Sequence, residues 1–131
     1  KGDDILLLAI GSMVIPSYHA AKKLAAQGIS CAVINARFMQ PLDENLIWKW
    51  AKKCGKVLTI EEHQITGGFG HAFLGLLEKK GERSISVKRL GLRSSFIEHG
   101  SRKEVLRENR LDADGIYSVA LEFMQGKKFN G

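Results

Sequence analysis

The sequence predicts a three-layer α/β/α fold on a mostly parallel sheet of four or five strands. Short apolar runs alternate along the chain with longer stretches whose apolar residues recur at helical spacing. The connections between them are a few residues long, and parallel neighbours are reached only by crossing over through a helix.

Asp4 to Ile10 is apolar after its first residue and closed by Gly11, as a strand covered on both faces would be. The next helix starts between Ser12, a good N-cap, and Pro16, which a first turn tolerates. It carries Ala20, Ala21, Leu24 and Ala25 along one side and stops at Gly28. Cys31 to Ala36 is a second strand. Asp43 opens a helix with Leu46, Ile47, Trp50 and Ala51 facing inward, ending at Cys54 and Gly55. Lys56 to Glu61 is a third strand, closed by two acids. Gly67, Gly68, Phe69 and Gly70 lead into a helix from about His71 to Lys80, with Ala72, Leu74, Leu76 and Leu77 available for packing. Ser84 to Leu90 is a fourth strand, broken by Gly91. Two helices follow, Ser101 to about Asn109 and Asp112 to about Met124, and Ser101 with Glu104 forms a capping-box signature for the first. Residues 1–125 read as one domain and 126–131 as a fraying tail.

At 131 residues the chain is long enough to hold its own core, burying roughly two thirds of its unfolded surface. The longest apolar run, Ile5 to Ile10, is far too short to span a bilayer, so no membrane partner is expected. The N-terminal Lys1-Gly2-Asp3-Asp4 lacks a signal-peptide layout, which points to a cytoplasmic protein, or a plastid one if the source is a plant. Cys31 and Cys54 lack C-x-x-C spacing and read as free thiols. The histidines at 19, 63, 71 and 99 form no ligand pattern, so no metal site is expected. Twenty basic and 14 acidic residues give a net charge of +6, which invites a nucleic-acid reading. The basic residues are scattered in small groups on solvent faces with no aromatic residues interleaved to stack bases, so no nucleic-acid partner is expected.

Ligands and partners of such sheets gather outside the carboxyl ends of the strands. The unusual residues fall in the loops there. Arg37 directly follows the second strand, where its guanidinium can meet a phosphate or carboxylate with two parallel bonds, or form a surface ion pair with Asp43 or Glu44. Gly67 to Gly70 can cradle a phosphate at a helix N-terminus, or pack closely against a neighbouring domain. Glu61 and Glu62 beside His63 can form an acid/base group, or bond nearby backbone amides or an adjoining chain. In the last loop apolar Phe96 and Ile97 precede ionisable Glu98 and His99, and these either touch a partner or plug the core end and meet water. No nucleophile with its base and no cofactor signature is visible. Taken alone, the chain reads as a binding or interface domain.

Three segments carry a resemblance: R-F-M-Q-P-L-D at Arg37 to Asp43, T-I-E-E-H with G-G-F-G between Thr59 and Gly70, and R-L-G-L followed by F-I-E-H-G-S up to Ser101. Together with L-D-A-D-G-I from Leu111, the chain resembles the C-terminal domain of the 1-deoxy-D-xylulose-5-phosphate synthase family, over nearly its whole length and with a transketolase C-terminal-domain-like fold. The E-E and G-G-x-G segment is shared across that superfamily; F-I-E-H-G-S and L-D-A-D-G-I are what point to the synthase. Pro-Asp is common in the family near Arg93-Ser94, and Gly where Arg110 stands.

The resemblance implies a parent enzyme that uses thiamine diphosphate and Mg2+ to decarboxylate pyruvate and join the two-carbon unit to glyceraldehyde 3-phosphate, for isoprenoid, thiamine and pyridoxal biosynthesis. It implies a homodimeric parent whose other domains bind the cofactors, no catalytic residue or cofactor in this fragment, and no activity of the fragment alone. It assigns the substrate phosphate to Arg37. Interdomain or interface contacts fall to Glu61, Glu62, Gly67, Gly68, Phe69, Glu98 and His99. It also implies one further edge strand before Lys1. The alternatives are the C-terminal domain of another transketolase-like enzyme, a transketolase or a 2-oxoacid dehydrogenase β subunit, and a free-standing basic binding module.

Overall fold

A computed structural model describes residues 4–36, 44–64, 69–92 and 102–126. Its core begins with Ile5–Ala9 (β1), fully buried at every position because helices cover both faces of the sheet. Cys31–Asn35 (β2) and Lys56–Gln64 (β3) pair with β1 on either side, and Ser86–Leu92 (β4) pairs with β3, all parallel. The order is β2-β1-β3-β4.

Alternation along the strands sorts the core into two layers. Ile5, Leu7, Ala9, Leu58 and Ile60 point to one side, where they pack with Leu24 of Val14–Ala26 (α1), Leu106 of Arg102–Glu108 (α4) and Ile116 of Ala113–Met124 (α5). Leu6, Leu8 and Val57 point to the other, against Ile47 of Glu44–Cys54 (α2) and Phe73 of Phe69–Lys80 (α3).

Several boundaries differ from the sequence reading. β3 runs on past Glu61 to Gln64, and β4 runs through Gly91 rather than breaking there. Between Ile60 and Gln64 the register slips: Ile60 faces Leu90 but Gln64 faces Leu92, so β3 spends two more residues than β4 over the same rise. Gly91 lies buried opposite this irregularity. Ser12 is not the N-cap of α1; it lies in a short 3-10 turn, Gly11–Met13, and Met13 occupies the cap without a side-chain bond. On α2, Leu46 is 41% exposed rather than inward. On α3, which begins at Phe69, Phe73 is buried while Ala72 is exposed.

The junction of α4 and α5 has a local logic. The N–H groups of Arg110 and Leu111 donate to the carbonyls of Arg107 and Leu106, the two bonds of a Schellman stop, and Arg110 takes the left-handed position at φ 60°. Asp112 then caps α5, accepting from the Gly115 N–H at 2.8 Å. Gly115 sits where a Cβ would come within 2.6 Å of the Arg110 backbone. The cap, the stop and the close approach together explain the segment L-D-A-D-G-I physically.

β2 is the exposed edge of the described sheet. Its apolar residues are only half-buried, although the strand is as apolar as a central one. Ile15 and Tyr18 of α1 and Leu46 of α2 flank it and are the exposed large hydrophobic side chains among the described residues. A groove of about 720 Å³ runs along it between α1 and the strand.

Candidate functional site

The strands end together at one rim. Gly11, at φ 59°, turns the chain off β1 so that the Met13 N–H donates to the Ile10 carbonyl at 3.2 Å and α1 starts at once. The Ile10 N–H donates to Ile60 at 3.1 Å, and the Ala36 N–H to Ala9 at 2.8 Å. Those bonds fix the ends of β1, β2 and β3 side by side.

Glu61 and Glu62 carry β3 beyond the end of β1, and they serve opposite layers. The Glu61 carboxylate lies on the α3 side, is 1% exposed, and accepts the Gly70 N–H at 2.7 Å. It thus supplies the negative charge that the first turn of α3 attracts, a charge-assisted bond in a dry place. The Glu62 carboxylate lies on the α1 side and accepts the Ser12 hydroxyl at 2.6 Å. Consecutive strand residues point to opposite faces, so one dipeptide ties the starts of two helices to one strand tip. As a paired acid/base group the two carboxylates fail, because the sheet separates them. The bond from Glu61 to a backbone amide is the blander of the two readings its sequence position allows.

Beneath Gly70 the packing is close. A Cβ there would lie 2.7 Å from Thr59 Oγ1 and 2.9 Å from Arg89 Cδ, so only glycine fits. Thr59 is fully buried and its hydroxyl has no hydrogen-bond partner among the described residues. Ser12, Thr59, Gly70 and Arg89 therefore join the rim; sequence reasoning had placed Gly70 there in the glycine-rich turn but had assigned Ser12, Thr59 and Arg89 no role at it. The spacing from Glu61 to Gly70 was the available signal, an acid a short loop ahead of a glycine-opened helix.

The other expected site residues lie mostly outside the described residues: Arg37, Gly67, Gly68, Glu98 and His99. Phe69 is described as the first residue of α3. The chain leaves β2 through Ala36, buried at the rim, immediately before Arg37. Among the described residues no group of three or more His, Cys, Asp or Glu is placed to hold a metal ion. No described helix is long and apolar enough to cross a membrane.

One expectation about charge is corrected. Aromatic residues do accompany the basic groups: Lys52 and Lys80 lie over Trp48 with each Nζ 5.5 Å from the ring centre, and Lys53 lies 4.6 Å over Trp50. Two of these contacts lie within α2 and the third comes from α3, which no reading of one segment would reveal.

Known proteins place the chain. A 1-deoxy-D-xylulose-5-phosphate synthase from Desulfotalea psychrophila is 46% identical over 125 residues, covering 95% of this chain and 19% of that protein. One from Halothermothrix orenii is 45% identical, covering 94% of this chain and 19% of its own length. The chain thus spans about a fifth of the length of the curated relatives it matches. Among solved structures, a split gene transketolase in an inactive beta4 tetramer superposes with a TM-score of 0.86 at 29% identity, over 98% of this chain and 41% of that one. A transketolase variant from Pichia stipitis superposes at 0.69 with 20% identity, over 94% of this chain and 16% of that one, a likeness of fold. The family model described as "Transketolase, C-terminal domain" matches residues 1–116, and the chain belongs to that family.

Proposed function

We propose that this chain is the C-terminal domain of a thiamine-diphosphate-dependent transferase that condenses pyruvate with glyceraldehyde 3-phosphate, giving 1-deoxy-D-xylulose 5-phosphate and CO2. The observation that carries this reading is identity of 45–46% to synthases of that name across nearly the whole chain. The alternative, the C-terminal domain of a transketolase, has the 29% identical split gene protein in its favour, and the lower identity ranks it second.

In this reading the domain lends the active site its rim. Arg37, directly after Ala36, binds the phosphate of glyceraldehyde 3-phosphate, its guanidinium offering parallel donors to phosphate oxygens. Glu61 and Glu62 hold the turns at either side of the rim in place by the bonds to Gly70 and Ser12. Other domains of the same cytoplasmic, homodimeric enzyme pack on this edge and along β2, whose half-buried apolar strand suits a further strand from polypeptide outside residues 1–131.

Thiamine diphosphate and Mg2+ supply the carbanion chemistry of such a reaction, and the described residues do not fit either group. Glu61 occupies the helix N–H that a diphosphate would seek, and no carboxylate cluster suits the metal. Their binding belongs to the other domains of the enzyme.

The test is Arg37→Ala in the full-length enzyme. The Michaelis constant for glyceraldehyde 3-phosphate should rise strongly while that for pyruvate stays nearly unchanged. Equal changes in both would remove the phosphate role.

A further inference from the structure

We propose that the surface where the carboxyl ends of α2 and α3 meet is a docking site for an acidic polypeptide segment, separate from the rim. Gly55, which ends α2, lies at the opposite edge of the sheet, its carbonyl accepting from Ser86 at the start of β4 at 2.9 Å. Residues 49–53 and 78–83 bring six cations there against Glu78 and Glu82, which is the larger part of the chain's net +6. Glu82 is already held by Lys52 at 3.2 Å and by Ser84.

Lysines in the last turn of a helix complement its dipole, and that accounts for some of this charge. It does not account for the tryptophans beneath them. Two ammonium groups from different helices converge on the Trp48 ring, whose electron-rich face offsets their mutual repulsion, and a third sits on Trp50. Such lysines are held in position beforehand, so an anion that meets them orders little side-chain freedom. Trp48 remains half-buried in that surface, while Trp50 and the exposed Leu46 face the groove along β2. Aromatic residues inside a charged rim are the composition of a protein interface.

Charge complementarity calls for an anionic partner, and its class follows from the contacts. Bases cannot stack on indoles already covered by ammonium groups. The cluster holds one guanidinium, Arg83, and its two acids interrupt any track for a phosphate backbone. Separate carboxylates along a peptide can each meet one of these lysines, which needs neither an open ring face nor an unbroken track of cations.

The test uses fluorescence anisotropy of a short labelled peptide rich in Glu with two Phe side chains, added to the protein at physiological salt. Lys53→Glu with Lys80→Glu should weaken binding about tenfold or more, whereas Lys22→Glu with Lys103→Glu, the same change in net charge elsewhere, should weaken it less than about threefold. A blue shift of tryptophan emission should accompany binding by the unmodified protein. Equal losses from the two double variants, absence of saturable binding, or displacement of the peptide by lower concentrations of oligothymidylate or phosphatidylglycerol vesicles would each overturn the proposal.

Discussion

The buried carboxylate of Glu61 accepts the backbone N–H of Gly70 at 2.7 Å, joining the tip of β3 to the first turn of α3. Removing it leaves an amide without its acceptor where water is excluded. Glu61→Ala should destabilise the fold by about 2–3 kcal/mol, and Glu61→Gln, which keeps an acceptor, by about 1 kcal/mol less than that. Urea unfolding measures both, and equal losses would deny the carboxylate its capping role.

Gly70 and Thr59 should behave as a coupled pair. Gly70→Ala places a methyl 2.7 Å from Thr59 Oγ1 and should cost about 1–3 kcal/mol. Thr59→Ala removes the obstructing atom along with a buried unpartnered hydroxyl, and the double variant should recover at least about 0.5 kcal/mol relative to additivity. A double-mutant cycle in denaturant checks the sign.

Arg110 pays for a left-handed backbone and regains part of that through its guanidinium, whose Nη2 lies 3.1 Å from Glu122 Oε2. Arg110→Gly relaxes the backbone but drops this partly exposed pair, so the two effects nearly cancel. Arg110→Ala keeps the strain and loses the pair, and should be less stable than Arg110→Gly by about 1 kcal/mol. Thermal unfolding of the two variants distinguishes them; Ala at least as stable as Gly would contradict the account.

Burial, with Asp4 and Cys54 nearby, pushes the Cys31 thiol up to about 12 from an ordinary 9.0. A thiol kept neutral is a poor nucleophile, so native Cys31 should alkylate with iodoacetamide at pH 8.5 at least about tenfold more slowly than it does in urea. The sign for stability follows. The unfolded thiol ionises near 9.0 while the native one keeps its proton, so stability contributed below that pH declines as pH rises towards 12. Cys31→Ser should flatten that decline in a pH series of unfolding free energies.

The layer order was legible because β1 is apolar at every position and its companions alternate with helical spacing, a combination that only a doubly covered parallel sheet satisfies. Asp112 was legible as a helix start because its cap is local. Ser12 was not, since its partner Glu62 lies 50 residues away and overrides its local preference. The same cause hid the end of β3: charged residues break an apolar run, and what lets them continue the strand is bonding to Ser12 and Gly70, which sequence periodicity does not carry. At the rim the two acids could be picked out by type, whereas Thr59 and Arg89 looked like ordinary strand residues until α3 crossed over them. Arg37, Gly67, Gly68, Glu98 and His99 lie outside the described residues, so their assignment rests on motif alone.

The adjacent acids at the end of β3 make the parity of that strand functional. Deleting Ile60 would turn each carboxylate to the opposite side of the sheet, away from the helix start it now holds, while deleting two residues would restore the sidedness and shorten the reach. Even-numbered length changes are therefore the ones this tip can absorb, a counting rule that single substitutions never expose.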